Sequence, residues 1–260
     1  MKLKREFRRY KVLILDGDGV LWRGSEPIWQ AVRAARLLIT EGKVIVLLTN
    51  NSTSSRAGYR LKLLKLGLDI PLERIYPSSY GAARHIAESG YRSAYVVGEQ
   101  GLIEELNLAG VSTSDDADSV VVGMDRSFTY AKLARASTLV RNGAYFVATN
   151  RDATLPTESG LIPGAGAMVA AVEVAAGRRA DITIGKPEPY LYKMVLEDLN
   201  VDPSEVLAVG DRLDTDVAGA HNAGIDSLLV LTGVAKREDI ERSPVRPTYV
   251  LRDLSQVFED

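Results

Sequence analysis

The chain has 260 residues, 46% of them hydrophobic and 25% charged, with a net charge of −2 and no cysteine. That length suits one large domain or two small ones, and the near-neutral charge gives no field that would favour nucleic acid or a membrane surface. Missing cysteines exclude disulfides and thiolate metal sites, and no apolar run approaches the ~18 residues of a membrane span, so a soluble cytoplasmic protein is expected.

The opening MKLKREFRRYK is basic and reads as a solvated tail. Only Val12 to Leu15 separate it from Asp16, too few apolar residues for a signal-peptide core. KVLILD reads as a strand and PIWQAVRAARLLITEG as a helix closed by Gly42. KVIVLLTN is the next strand, and SSRAGYRLKLLKLG a helix ended by Gly67. YVVG, SVVVGM, YFVAT, DITIG, EVLAVGD and DSLLVL continue the alternation of strand and helix. This pattern predicts an α/β fold with a doubly wound parallel sheet covered on both faces. The strands are too many for one sheet, and the middle of the chain holds three strand–helix units of its own. A smaller α/β domain is therefore expected at 79–183, inserted into a core of 1–78 and 184–260.

Open parallel sheets bind ligands at the carboxyl ends of their strands. Four predicted strand ends carry polar groups there: LDGDG with Asp16 and Asp18, LLTNNST with Thr49 to Thr53, TIGKPEP with Lys186, and AVGDRLDTD with Asp211, Asp214 and Asp216. Converging carboxylates repel unless a cation sits among them, and an all-oxygen ligand set suits Mg²⁺. Asp16, Asp18 and Asp211 are the expected ligands. The TNNS segment offers a hydroxyl, amides and backbone N–H groups to an anion, and Lys186 adds a positive charge. A carboxylate nucleophile, a hard metal and donors for the transferring oxygens describe a phosphoryl-transfer site. His85 and His221 stand without metal-ligand spacing and read as structural or surface residues. Taken singly, DxDG is a turn, TNNS a helix cap and GDxxD a turn plus a cap. PGAGAMVAA mimics a nucleotide fingerprint but lacks a strand before it and the full spacing, and no P-loop motif occurs.

Together, DGDGV (16–20), LTNNS (48–52), GKP (185–187) and GDRLDTD (210–216) resemble the four motifs of the haloacid dehalogenase-like hydrolase superfamily. FVATNRDATLP, PGAGAMVAAVE, IGKPEPY and VGDRLDTDVAGAHNAG resemble its 4-nitrophenyl phosphatase-like branch, and the likeness spans nearly the whole chain. The resemblance implies a Rossmann-like core with an inserted α/β cap, and Mg²⁺-dependent hydrolysis of a small phosphorylated metabolite through an aspartyl-phosphate. Asp16 would be the nucleophile and Asp18 the general acid and base, its backbone carbonyl also binding Mg²⁺. Asp211 would complete the metal ligands, Asp216 would orient them, and Asp214 would be a neighbour. Thr49, Asn50 and Asn51 would hold phosphoryl oxygens, and Lys186 would neutralise both Asp16 and the phosphoryl group. The family also admits a homodimer through the cap.

Gly17 stands where the family usually has a bulkier residue, which implies either a looser turn or a neighbouring side chain in the space. Three rivals share parts of this constellation. A phospho-receiver domain carries its aspartate after a later strand and is far shorter. A phosphotransferase or mutase of the same fold differs in its acceptor, and Asp18 favours water. An inactive relative would not be expected to keep Asp16, Asp18, Lys186 and Asp211. The polar loop at 149–164 is expected to reach the core site and select substrates, with Asn150, Arg151 and Asp152 as the residues to test.

Overall fold

The computed structural model describes residues 2–157 and 160–259. The chain divides into two compact units: Met1–Thr49, Arg60–Tyr76 and Lys186–Asp260 form the first, and Asn50–Tyr59 with Pro77–Gly185 the second.

The first unit is built on a six-stranded sheet in the order Tyr249–Leu251, Asp226–Val230, Val206–Gly210, Val12–Leu15, Val44–Thr49, Ile75–Pro77. Val12–Leu15 pairs parallel with Val206–Gly210 on one side and with Val44–Thr49 on the other. All four of its residues are buried, as expected of an apolar run flanked on both faces. The strand order reverses between Val12–Leu15 and Val206–Gly210, which makes the ends of these two strands the switch point of the sheet. Leu15 registers against Val209, and the Asp16 amide continues the ladder by donating to the Val209 carbonyl at 2.9 Å. Asp16 and Asp211 thus leave neighbouring strands at the same end.

Helix Trp29–Thr40 buries Ala31, Val32, Ala34, Ala35 and Leu38, the i, i+3, i+4 stripe of its sequence. It ends at Gly42, whose φ of 78° lies in the left-handed region favoured by glycine. Helix Tyr190–Leu199 follows Lys186. After Gly210 the chain winds through a π-helical turn, Leu213–Val217, into the short helix Ala218–Asn222.

The second unit has its own five-stranded sheet, ordered Ile182–Thr183, Tyr145–Ala148, Ser119–Val122, Ser93–Val97, Ser112–Thr113, with parallel pairings throughout. Val97, Val120, Val122, Phe146, Val169 and Val172 are part of its buried core, with Leu139 and Val140 from helix Tyr130–Arg141. Asn50–Tyr59 joins this unit through specific bonds. The Arg56 amide donates to Glu105 Oε1 at 2.6 Å and its Nε to Oε2 at 3.1 Å, and Glu105 is buried. Gly101 N donates to the Thr53 carbonyl at 3.2 Å, and a side chain at position 101 would strike the Ser54 backbone.

Several expectations need correction. DITIG does not end a core strand: Ile182–Thr183 pairs with Val147 and Ala148 in the second sheet, and Lys186 follows it by chain continuity. The second unit comprises Asn50–Tyr59 together with Pro77–Gly185. The basic N-terminus is not a solvated tail, because Leu3, Phe7 and Tyr10 are buried and Leu3 bridges Phe258. Its charges meet acids at the surface, Arg9 with Asp226 and Lys11 with Glu205, both at 2.5 Å.

Candidate active site

In the first unit, Lys186 Nζ donates to Asp16 Oδ1 at 2.8 Å and to Asp216 Oδ1 at 2.6 Å. Its side chain is only 3% exposed, so the ammonium is stabilised by these partners rather than by water. Asp16, Asp211 and Asp216 each place a carboxylate oxygen within 4.8 Å of the others. Burial pushes the Asp16 carboxyl well above the usual carboxylate range; Lys186 opposes that rise, while Asp216 and Asp211 reinforce it. Burial, followed by repulsion from Asp216, raises Asp211 to about 7. Burial works against the Lys186 charge, but Asp16 and Asp216 outweigh it and hold the ammonium firmly protonated.

The backbone fixes these acids from several sides. Val234 N donates to Asp211 Oδ2 at 2.7 Å, and Arg212 N to Asp216 Oδ2 at 3.1 Å. The π-helical turn returns Asp216 towards the strand it follows, and Tyr192 OH donates to the Asp216 carbonyl at 3.3 Å. Close approach requires glycine here: a Cβ at Gly233 or Gly19 would overlap the Asp211 carboxylate, and Gly19 also has φ of 80°.

Asp216 lies within the carboxylate group, folded back by the π-helical turn, while the Asp18 carboxylate stands outside it and its Oδ1 accepts from Gly24 N at 3.3 Å in the hairpin that follows. Asp214 is likewise outside, paired with Arg212 at 2.8 Å. Thr49 ends its strand buried. Asn50 and Asn51 belong to the second unit. There Asn50 Nδ2 donates to both Asp152 oxygens at 3.1 and 3.2 Å, and Asn150 Nδ2 donates to the Asn50 carbonyl at 2.7 Å. Asn51 Oδ1 accepts from Thr53 N at 3.0 Å and Thr53 Oγ1 at 2.7 Å, which shapes the turn. Arg151 is held by Glu173 at 2.6 Å. The loop expected at 149–164 forms an antiparallel pair, Thr154–Thr157 with Gly160–Pro163, and positions 158 and 159 lie outside the described residues. His85 bonds Tyr145 OH at 2.9 Å, and His221 is exposed.

The buried Asp211 and Asp216 with the half-buried Asp16, set against the Lys186 ammonium, leave an excess of negative charge. A donor set made only of carboxylate oxygens fits a hard divalent cation. Asp16, Asp211 and Asp216 are the side chains that could hold it. Sequence reasoning missed Trp22 and Lys62, which pack beside the Asp16–Asp18 turn. The aromatic residue six positions after Asp16 was the available signal.

A six-stranded sheet whose switch point carries paired aspartates and a buried lysine defines a phosphohydrolase-type α/β core. The chain belongs to the haloacid dehalogenase-like hydrolase family and is a phosphatase: residues 13–112 match the family's haloacid dehalogenase-like hydrolase model, and 183–257 a second, HAD-hydrolase-like one. It is 38% identical over 256 residues to an acid sugar phosphatase of Staphylococcus saprophyticus, covering 97% of this chain and 98% of that one. It is 37% identical over 251 residues to the 5'-nucleotidase YutF of Bacillus subtilis, covering 96% and 98%. The crystal structure of a 4-nitrophenylphosphatase from Thermotoga maritima superposes with a TM-score of 0.92 at 32% identity, covering 98% of each chain. A p-nitrophenyl phosphatase from Archaeoglobus fulgidus gives 0.91 at 36% identity, covering 95% and 98%. No helix among the described residues is long and apolar enough to cross a membrane.

Proposed function

We propose that this phosphatase hydrolyses phosphomonoesters of small metabolites, with Mg²⁺ as cofactor and a phosphorylated Asp16 as intermediate. The observation that carries the proposal is Lys186 bridging Asp16 and Asp216 beside Asp211, buried at the switch point of the sheet. An Asp16 oxygen attacks phosphorus and the bond to the leaving oxygen breaks, while Asp18 gives that oxygen a proton. Water then attacks the phosphoryl group, Asp18 takes its proton, and inorganic phosphate leaves with Asp16 restored. Asp18 suits this exchange because it is partly exposed and outside the ion-paired cluster. Lys186 holds the Asp16 carboxylate in one orientation and offsets the charge of the incoming phosphoryl group. Thr49, with Asn50 and Asn51 following it in the chain, is proposed to donate to phosphoryl oxygens. The metal would be held by Asp16 and Asp211, with Asp216 beside them and the Asp18 carbonyl as a further oxygen. When bound it supplies charge stabilisation for the phosphoryl oxygens.

The names of the relatives, acid sugar phosphatase and 5'-nucleotidase, support a phosphorylated sugar or nucleotide as substrate. The first unit is proposed as the catalytic core and the second as the cap, with residues 150–152 in substrate choice. A phosphate-release screen across sugar phosphates, nucleotides and 4-nitrophenyl phosphate, with and without Mg²⁺, tests this beside Asp16→Asn. Turnover without metal, or by Asp16→Asn, contradicts it.

A further inference from the structure

Gly17 separates the two aspartates of the turn. Its φ lies outside the left-handed region, so its backbone would accept any L-residue. Space is what excludes one. A Cβ at Gly17 would overlap Trp22 Cζ2 and lie 3.0 Å from Cε2 and Cη2. Trp22 is 1% exposed, and its main chain returns onto the same turn. Leu21 N and Trp22 N donate to the Gly17 carbonyl at 2.9 and 3.1 Å, and Gly19 N donates to the Trp22 carbonyl at 2.7 Å. Lys62 covers the indole, with Nζ 3.8 Å from the ring centroid, and donates to the Gly24 carbonyl at 3.3 Å. Gly24 N in turn donates to Asp18 Oδ1. A closed circuit of contacts therefore runs from Gly17 through Trp22, Lys62 and Gly24 to Asp18.

We propose that Trp22 is a positioning residue for the Asp16–Asp18 pair: its indole fills the volume that a side chain at position 17 would otherwise take, and Lys62 clamps it there. The inference rests on the catalytic roles proposed above for Asp16 and Asp18. It resolves the apparent looseness of a glycine between two catalytic groups, because the turn is packed by a side chain five residues further on. Rate is sensitive to such placement, since a misplacement of about 1 Å can cost about 10²-fold.

The test is a size swap, assayed with Mg²⁺ on 4-nitrophenyl phosphate and on an alkyl phosphate, with melting temperatures measured in parallel. Trp22→Ala and Gly17→Leu are each expected to lower kcat/KM by about 10²-fold. The loss should be larger on the alkyl phosphate, whose poor leaving group depends on the proton from Asp18. Gly17→Leu combined with Trp22→Ala should recover roughly tenfold over either single variant, because the two sites couple through one volume. Trp22→Phe should lose less than Trp22→Ala, and Lys62→Met should shift the alkyl-to-nitrophenyl ratio in the same direction. Should the larger changes prevent folding, Trp22→Phe and Gly17→Ala, singly and together, decide by the same ratio. Equal losses on both substrates, or a double variant no better than the product of the singles, overturn the proposal. Asp16→Asn is run beside them. If it stays active, the catalytic reading has failed; if it is dead and the swap does not rescue, the positioning role alone has failed.

Discussion

Replacing Lys186 by methionine removes the ammonium that bonds both Asp16 and Asp216 while keeping most of the stem volume. Breaking a buried ion pair from one side costs about 3–5 kcal/mol, because the partner charge is left uncompensated. With about 2.1 cal/mol/K of unfolding entropy per residue over 260 residues, the melting temperature of the metal-free protein should fall by ~5–9 °C at about pH 8. The pH dependence carries the sharper prediction. Asp16 and Asp211 have carboxyls raised above their unfolded values, Asp211 to about 7. A raised carboxyl contributes stability that is fully present below the unfolded pKa and lost as pH rises through the folded one. Without Lys186 the repulsion grows, so the deficit should be largest at about pH 8 and shrink towards about pH 5, where Asp211 takes up its proton. The assay is thermal unfolding of both proteins at the two pH values in chelator, with phosphate release measured alongside. Activity should fall by about 10²–10³-fold, the scale for losing one electrostatic group at a reacting centre. An unchanged melting temperature, or a deficit that does not depend on pH, would refute this reading of the cluster.

Asp211→Asn should weaken Mg²⁺ binding in calorimetry and reduce turnover. The same change should make the metal-free protein relatively more stable above about pH 7, since it removes a carboxyl whose ionisation the fold resists. Arg56→Ala leaves Glu105, 1% exposed, without its 3.1 Å partner, and should destabilise the second unit by about 3–5 kcal/mol in urea unfolding. Alanine at Asn150, Arg151 and Asp152 together should alter the ranking of sugar phosphates and nucleotides more than hydrolysis of 4-nitrophenyl phosphate. An unchanged ranking removes these residues from substrate choice.

The strand ends were legible because the pattern is local: VLIL runs straight into Asp16, and VLAV into Gly210 and Asp211, so each acid declares the end of a buried strand. The inserted α/β unit showed itself in the surplus of strands. The approach of Asp216 to Lys186 was not legible, because it depends on a π-helical turn whose five-residue backbone pattern has no side-chain signature. Edge strands Ile75–Pro77 and Tyr249–Leu251 escaped notice because each has three residues, one with a proline, and gains its extended form from a neighbour. The packing of Trp22 over Gly17 is a tertiary fact, settled only when the Trp22–Arg23 and Glu26–Pro27 hairpin closes back on the turn. The glycine therefore looked like an open hinge in the sequence and is a filled one in the fold.

The central claim is a covalent phosphoryl group on Asp16, and acid quenching during turnover followed by peptide mass spectrometry tests it most directly. A hydroxylamine-labile mass gain of one phosphoryl group is predicted on the peptide holding Asp16, and none in Asp16→Asn. A phosphoryl group on any other residue, or turnover by Asp16→Asn at the unmodified protein's rate, would contradict the account.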